Sequence, residues 1–273
     1  MILKISCVIP VFNSAETLSK AVGSCLSQTG DIEVIVVDDC SSDDSYEVAL
    51  AIAEDSSNRV RVFKNATNSG PAFSRNRGAF EASGKLLCFL DSDDYYLDGF
   101  FEKSTALLAD NFDSAAIKTS IKIQNENGTS AIPPGDPRLK AIVHSYPCNM
   151  VVRREIFSLL GGFPIDTRFR GPLGGEDDCF FKALSRIFRH QYLDEELVVY
   201  RNRPGSHLEV YLSRTSVKNG RVIFHKMDHN DPYQVKSVFE ASQEFLERAQ
   251  GNIASTDRCR LDKTVGRRTN PEE

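Results

Sequence analysis

Apolar residues in the first ninety positions fall in short continuous runs. Residues 5–11, 33–37, 60–63 and 85–90 each read as a strand buried on both faces. Between the first two runs, Leu18, Ala21, Val22, Cys25 and Leu26 recur at helical spacing. Asn13 and Ser14 are placed to cap that helix, and Gly30 to close it in a left-handed conformation. A second helix opens at 41–44 and runs to about Ala53. Asn68-Ser69-Gly70-Pro71 reads as a turn with proline at the start of a third helix, which runs to Gly84. Strands alternating with helices predict an α/β domain with a mainly parallel sheet. Ligands of such sheets bind beyond the carboxyl ends of the strands.

The second half has a different texture. Residues 115–123 alternate, with Ile117, Thr119, Ile121 and Ile123 against Lys118, Ser120 and Lys122, which predicts a strand with one wet face. Residues 125–137 are rich in Gly, Pro and Asn and read as an exposed loop. A strand at 148–152 leads into a short helix ending at Gly161-Gly162. A further helix is expected over 178–188, burying Phe180, Phe181, Leu184, Ile187 and Phe188, and a returning strand over 193–201. Residues 206–250 form a mainly helical extension, and 251–273 a polar, loose tail.

Composition narrows the classes. With 41% hydrophobic residues the chain can bury a real core, and its formal net charge of −5 argues against nucleic acid as a partner. No apolar run is long enough to span a membrane, and the first residues lead straight into a strand without a signal peptide. Seven cysteines with no CxxC pair point to neither a disulfide framework nor a zinc site. Cys179 stands beside carboxylates, the wrong surroundings for a reactive thiolate.

Three strand ends carry the candidate chemistry. Asp91-Ser92-Asp93-Asp94 follows the run 86–90, so a buried strand delivers several carboxylates to one sheet edge. Crowded carboxylates call for a cation, and hard oxygen ligands suit Mg²⁺ or Mn²⁺ beside a phosphate. An EF-hand is excluded, because Tyr96 occupies the position that needs glycine. Asp38-Asp39 ends the second strand; it either braces an Asx-type turn or accepts a nucleobase N–H. Phe12, at the neighbouring strand end, offers a ring for a base to stack on. Arg75 and Arg77 lie in the first turns of a helix, where cations oppose the macrodipole; such local conflict marks functional places. Gly174-Gly175-Glu176-Asp177-Asp178 caps a helix and can also supply a general base.

Six stretches, in order over about residues 5–205, resemble family 2 glycosyltransferases with the GT-A fold. They are residues 7–13, 36–43, 68–78, 89–94, Gly161-Gly162-Phe163 and 175–178. The resemblance implies a nucleotide-diphospho-sugar transferase, with a Rossmann-like, mainly parallel sheet flanked by helices. It places a GT-A domain over 1–205, with a nucleotide-binding half to about 110 and an acceptor half over 111–205. It implies an inverting transfer from a UDP-sugar to a glycan or lipid-linked acceptor. Pro10, Val11, Phe12, Asn13 and Asp39 would hold the base, with Asn68, Gly70 and Arg75 nearby. Asp91 and Ser92 would face the ribose, and Asp93 would ligate Mn²⁺ or Mg²⁺. Asp177 matches the family's base and Glu176 its acidic neighbour. The family's Tyr-x-x-His-Pro-Gly-Ser pattern becomes Tyr200-Arg201-Asn202-Arg203-Pro204-Gly205-Ser206, followed by His207. Either Arg203 would then hold the diphosphate directly, or His207 would reach back as a metal ligand, with Arg203 preferred. A cytoplasmic enzyme is implied, with room for peripheral contact at the inner membrane face. Competing readings are a non-catalytic nucleotide-sugar module and a nucleotidyltransferase; Asn13-Ser14-Ala15-Glu16 lacks the Gly-rich basic loop expected of the latter.

Overall fold

The computed structural model describes residues 3–170, 174–225 and 231–256. In the first half, β1 (Ile5–Val11), α1 (Ala15–Leu26), β2 (Ile32–Asp38), α2 (Ser45–Asp55), β3 (Val60–Lys64), α3 (Pro71–Glu81) and β4 (Leu86–Phe89) alternate as the apolar runs predict. These four strands are parallel in the order β3-β2-β1-β4, and every residue of β1 and β2 is buried. Val11 pairs with Asp38 and Asp38 with Lys64, so three strands stop at one edge. Helix α3 lies tightly on β1 because position 78 has no side chain: a Cβ there would fall 2.3 Å from Val8. Gly30 does not close α1, which ends at Leu26 with Ser27 as its cap; its φ of +133° serves the turn into β2.

The second half adds β5 (Tyr95–Tyr96), α4 (Phe100–Asp110), β6 (Ala116–Asn125), α5 (Arg138–Ser145), β7 (Met150–Arg153) and α6 (Arg154–Leu160). A 3₁₀ turn at Thr167–Arg170, α7 (Glu176–Ile187), β8 (His190–Asn202), α8 (His207–Ser213), β9 (Thr215–Lys218), β10 (Arg221–Phe224) and α9 (Asp231–Ser255) complete it. The main sheet has eight strands, β3-β2-β1-β4-β7-β6-β8-β5. β7 is antiparallel to both neighbours, β6 and β8 are parallel, and β5 is antiparallel to β8. Alternate strand residues feed two cores: Cys7 and Ile9 on one face, Val8 and Phe89 on the other. The second core is aromatic: Phe157 and Phe163 each meet the rings of both Phe89 and Phe180. Phe245 and Ala249 of α9 close it from outside.

Further expectations change. Lys118 is buried rather than wet, because its Nζ donates to the carbonyls of His144 and Tyr146 at 2.7 and 2.8 Å and lies 4.2 Å from the Phe181 ring centroid. Burial pulls its amine down to about 7. The extension after 206, expected to be mainly helical, contains the β9–β10 hairpin. The expected loose tail begins late, since α9 continues to Ser255; residues 257–273 lie outside the described residues. The six described cysteines are free, and burial pushes the Cys179 thiol up to about 11. Cys259 lies outside the described residues.

Glu33 on β2 anchors the edge opposite the candidate site. It accepts from Ser6, from the Ser83 amide and hydroxyl at 2.7 and 2.8 Å, and pairs with Lys4 at 3.3 Å. Burial raises its carboxyl, but these donors outweigh it and hold it at about 2 against an ordinary 4.5. A depressed carboxyl stabilises the fold above its unfolded value, and that stability is lost as pH falls toward about 2. Glu33→Gln should therefore cost about 2 kcal/mol at pH 7 and much less at pH 3, read from denaturation midpoints. An equal cost at both values would mean that the charge contributes nothing.

Candidate active site

The carboxyl edge of the sheet is built from turns that brace one another. Asp39, just past β2, accepts from Asn65 Nδ2 at 2.6 Å and from the backbone N–H of Ser69 and Gly70 at 2.9 and 2.7 Å. Both its oxygens thus fix the turn that opens α3. Arg77 supports the same turn by donating to Lys64 and Asn65. Asp38 is fully buried, and its Oδ1 has no hydrogen-bond partner among the described residues. Pro10 and Val11 are buried within β1, whereas Phe12 presents its ring, 49% exposed. Asn13 follows in a left-handed conformation (φ +50°) and accepts from the Ser42 N–H at 2.9 Å.

Arg75 connects the two acidic clusters. It sits in the second turn of α3 with its side chain 4% exposed. Nη2 donates to Asp91 at 2.7 Å and Nη1 to Asp177 at 2.8 Å; Glu176 is 3.7 Å away. Burial opposes its charge, yet these carboxylates hold its pKa well above the usual arginine value. The arginine against the helix dipole is therefore an ion-pair bridge between the two acidic clusters, with one partner 102 residues from it in sequence. Asp177 stands on the first turn of α7, after Gly175 at φ +107°. Burial pushes its carboxyl up, opposed by Arg75 and reinforced by Glu176 and Asp91. A raised carboxyl is what a general base working near neutrality needs.

The cluster after β4 divides its labour. Ser92 donates to Ser14 Oγ at 2.8 Å and so fastens the acidic turn to the start of α1. Asp94 is structural: it accepts from the Tyr146 hydroxyl and from the Arg201 N–H at 2.7 Å. Asp93 pairs with Arg203 at 2.6 Å, and burial, then Asp91, raises its carboxyl against that pairing. Ligating atoms of Asp91, Asp94 and Cys148 lie within 4.8 Å of one another. Burial keeps the Cys148 thiol protonated and Asp94 is committed, so Asp91 and Asp93 are the oxygens suited to a hard divalent cation. Their mutual repulsion is the charge such an ion would relieve.

A cleft of about 290 Å³ opens between the Asn68–Gly70 turn and residues 164–170. Gly174, Glu176 and His207 line it. His207 packs against Gly174 and shares the cleft wall with Glu176. Two residues escaped the sequence reading. Arg170 approaches to 3.4 Å of where a Cβ on Gly70 would lie, and Lys118 adds positive potential at Asp177. Neither carries a local signal.

The glycosyl transferase family 2 model matches residues 6–161, more than half of the chain. The chain belongs to that family. A Bacillus subtilis relative described as an uncharacterized glycosyltransferase, EpsJ, is 31% identical over 230 residues, covering 77% of this chain and 64% of its own length. The chain thus spans less than two thirds of the curated relatives that it matches. The fold is that of Staphylococcus aureus TarS 1–349, solved with UDP-GlcNAc: TM-score 0.63, 20% identity, 94% of this chain and 74% of that one. It is also that of the mannosyltransferase PcManGT from Pyrobaculum calidifontis, solved with GDP-Man and Mn²⁺: TM-score 0.60, 15% identity, 96% and 78%. The α/β fold implied by the sequence motifs, with helices flanking a central sheet, is the fold present.

Proposed function

We propose that this family 2 chain is an inverting glycosyltransferase that moves a sugar from a nucleoside-diphosphate donor, a UDP-sugar first, to a hydroxyl of a glycan or lipid-linked acceptor. The observation carrying this reading is the Arg75 bridge, which holds Asp91 and Asp177 on one guanidinium. In this reading Phe12 stacks on the base, while Asp39 acts by holding the Asn68–Gly70 turn against it. Asp91 meets the ribose. Arg203 turns from Asp93 to the diphosphate. Asp177 takes the acceptor proton as its oxygen attacks the anomeric carbon from the face opposite the diphosphate, and Glu176 orients the acceptor. No covalent enzyme intermediate forms. Asp91 and Asp93 would hold a divalent cation, Mn²⁺ or Mg²⁺, which supplies positive charge to the departing diphosphate when bound. His207, on the cleft wall beside Glu176, suits an acceptor or diphosphate contact better than the metal. Residues 1–205 carry the reaction, the first 110 or so holding the donor, and the enzyme works on the cytoplasmic side.

Calorimetric titration of UDP, GDP, CDP and dTDP, each with and without Mn²⁺, tests the donor and the metal together. UDP should bind tightest, and Asp93→Ala should weaken it at least tenfold with Mn²⁺ and little without. Preference for another nucleotide would replace the donor class. Equal affinity with and without metal in both proteins would remove the metal role.

A further inference from the structure

The β9–β10 hairpin stands apart from the main sheet as a separate two-stranded ribbon. Its side chains are unusual for a surface ribbon in a protein of net charge −5. Val217, Ile223 and Phe224 are 40, 43 and 63% exposed. Facing pairs share a side of the ribbon, so Val217, Val222 and Phe224 lie on one face and Ile223 on the other with Lys218 and Arg221. Residues 214–225 contain Arg214, Lys218, Arg221 and His225 and no acidic residue. Both Lys218 and Arg221 are exposed, and among the described residues neither has an ion-pair partner.

We infer that this hairpin docks the enzyme on an anionic lipid surface. The Val217–Phe224 face is partly covered by α8, where Tyr211 meets the Phe224 ring at 6.1 Å between centroids, but Val217, Ile223 and Phe224 still expose apolar surface beside two cations, a combination that fits an anionic membrane interface. At the boundary between headgroups and acyl chains, Val217, Ile223 and Phe224 would leave water, while Lys218 and Arg221 reach lipid phosphates along their apolar stems. A second copy of this acidic chain offers no such excess of phosphate-like anions. The placement also has a use. Helix α8 begins at His207 on the cleft wall and runs about 10 Å to the hairpin, so a docked hairpin holds the cleft close to the bilayer. That benefit, though not the docking itself, rests on the lipid-linked acceptor of the proposed function.

The test is co-sedimentation of the full chain with vesicles of phosphatidylcholine alone or with 30% phosphatidylglycerol (~30%, chosen to give a strongly anionic surface). The chain should partition onto the anionic vesicles and be released by salt. K218Q/R221Q should weaken partitioning by roughly 25-fold, about fivefold per cation. Phe224→Ser should weaken it by roughly tenfold. UDP affinity should stay unchanged in all three proteins, which shows that the variants are folded. Absence of partitioning, or equal partitioning by parent and variants, would overturn the inference. So would a dimer, seen by sedimentation equilibrium, that Phe224→Ser dissolves. If the parent binds vesicles but no nucleotide, the proposed reaction fails and the docking surface stands.

Discussion

Asp177→Asn is expected to lower sugar transfer by about 10²–10⁴-fold while UDP affinity stays within a few-fold of the parent. An amide keeps the shape of the carboxylate and one oxygen to accept from Arg75 Nη1, now at 2.8 Å. It cannot take a proton. The substitution therefore removes the base and leaves the bridge largely in place. The pH profile adds a check that a structural role would not move. Burial, with Glu176 and Asp91, pushes the Asp177 carboxyl up, so the acid limb of the parent's rate should lie above the ordinary carboxylate range. The rate falls as pH drops through that value, because the base becomes protonated. In Asp177→Asn the residual rate should lose this limb. A variant that transfers sugar as fast as the parent, or keeps the limb unchanged, would place the base elsewhere, with Glu176 next to examine. Measuring binding by calorimetry alongside turnover also separates an enzyme from a nucleotide-sugar-binding module. In such a module neither the parent nor the variant would transfer sugar, and both would bind nucleotide.

The sequence exposes what depends on neighbours along the chain and hides what depends on partners far away. Strands β1 and β2 were legible because a strand covered on both faces must be apolar throughout, and polar residues then mark its end. The acidic turn at 91–94 and the glycines before α7 were legible for the same local reason. Arg75 could be singled out, through its conflict with the helix dipole, but not its partner, 102 residues away. Lys118 was misread because alternation records polarity and says nothing of carbonyls 26 and 28 residues distant that satisfy a buried amine. Asp39 posed a choice between a turn brace and a base contact. The three N–H groups that it accepts favour the brace, and any base contact must share those oxygens. The β9–β10 hairpin was hidden within a stretch of weak helical periodicity. Its Asn219-Gly220 turn, with both residues at positive φ, was the available signal.

Arg75→Ala should destabilise the protein by about 3 kcal/mol, the cost typical of removing one partner from a buried ion pair. For a chain of this size that corresponds to a melting point lower by roughly 5–10 °C. The guanidinium lies between Asp91 and Asp177 with Glu176 close by, and no other cation of the described residues makes an ion pair with any of the three. Lys118 pulls on Asp177 only through the field, from behind carbonyls that hold its amine. Without Arg75, burial and two neighbouring carboxylates act on Asp177 with little opposition, and its folded-state pKa climbs further. A carboxyl raised above its unfolded value favours the fold only while protonated. The unfolded carboxyl ionises above about 4 while the folded one resists, so the loss grows with pH from there until pH passes the raised folded value, and should be smaller at pH 5 than at pH 8. Arg75→Lys keeps one charge but cannot span two carboxylates in the same fork, so it should recover only part of the loss. Thermal melts of both variants at pH 5 and 8 separate charge from geometry. If Arg75→Ala melts within a degree of the parent at both values, the carboxylates relax into solvent when the bridge goes. The two acidic clusters would then owe their alignment to the backbone alone.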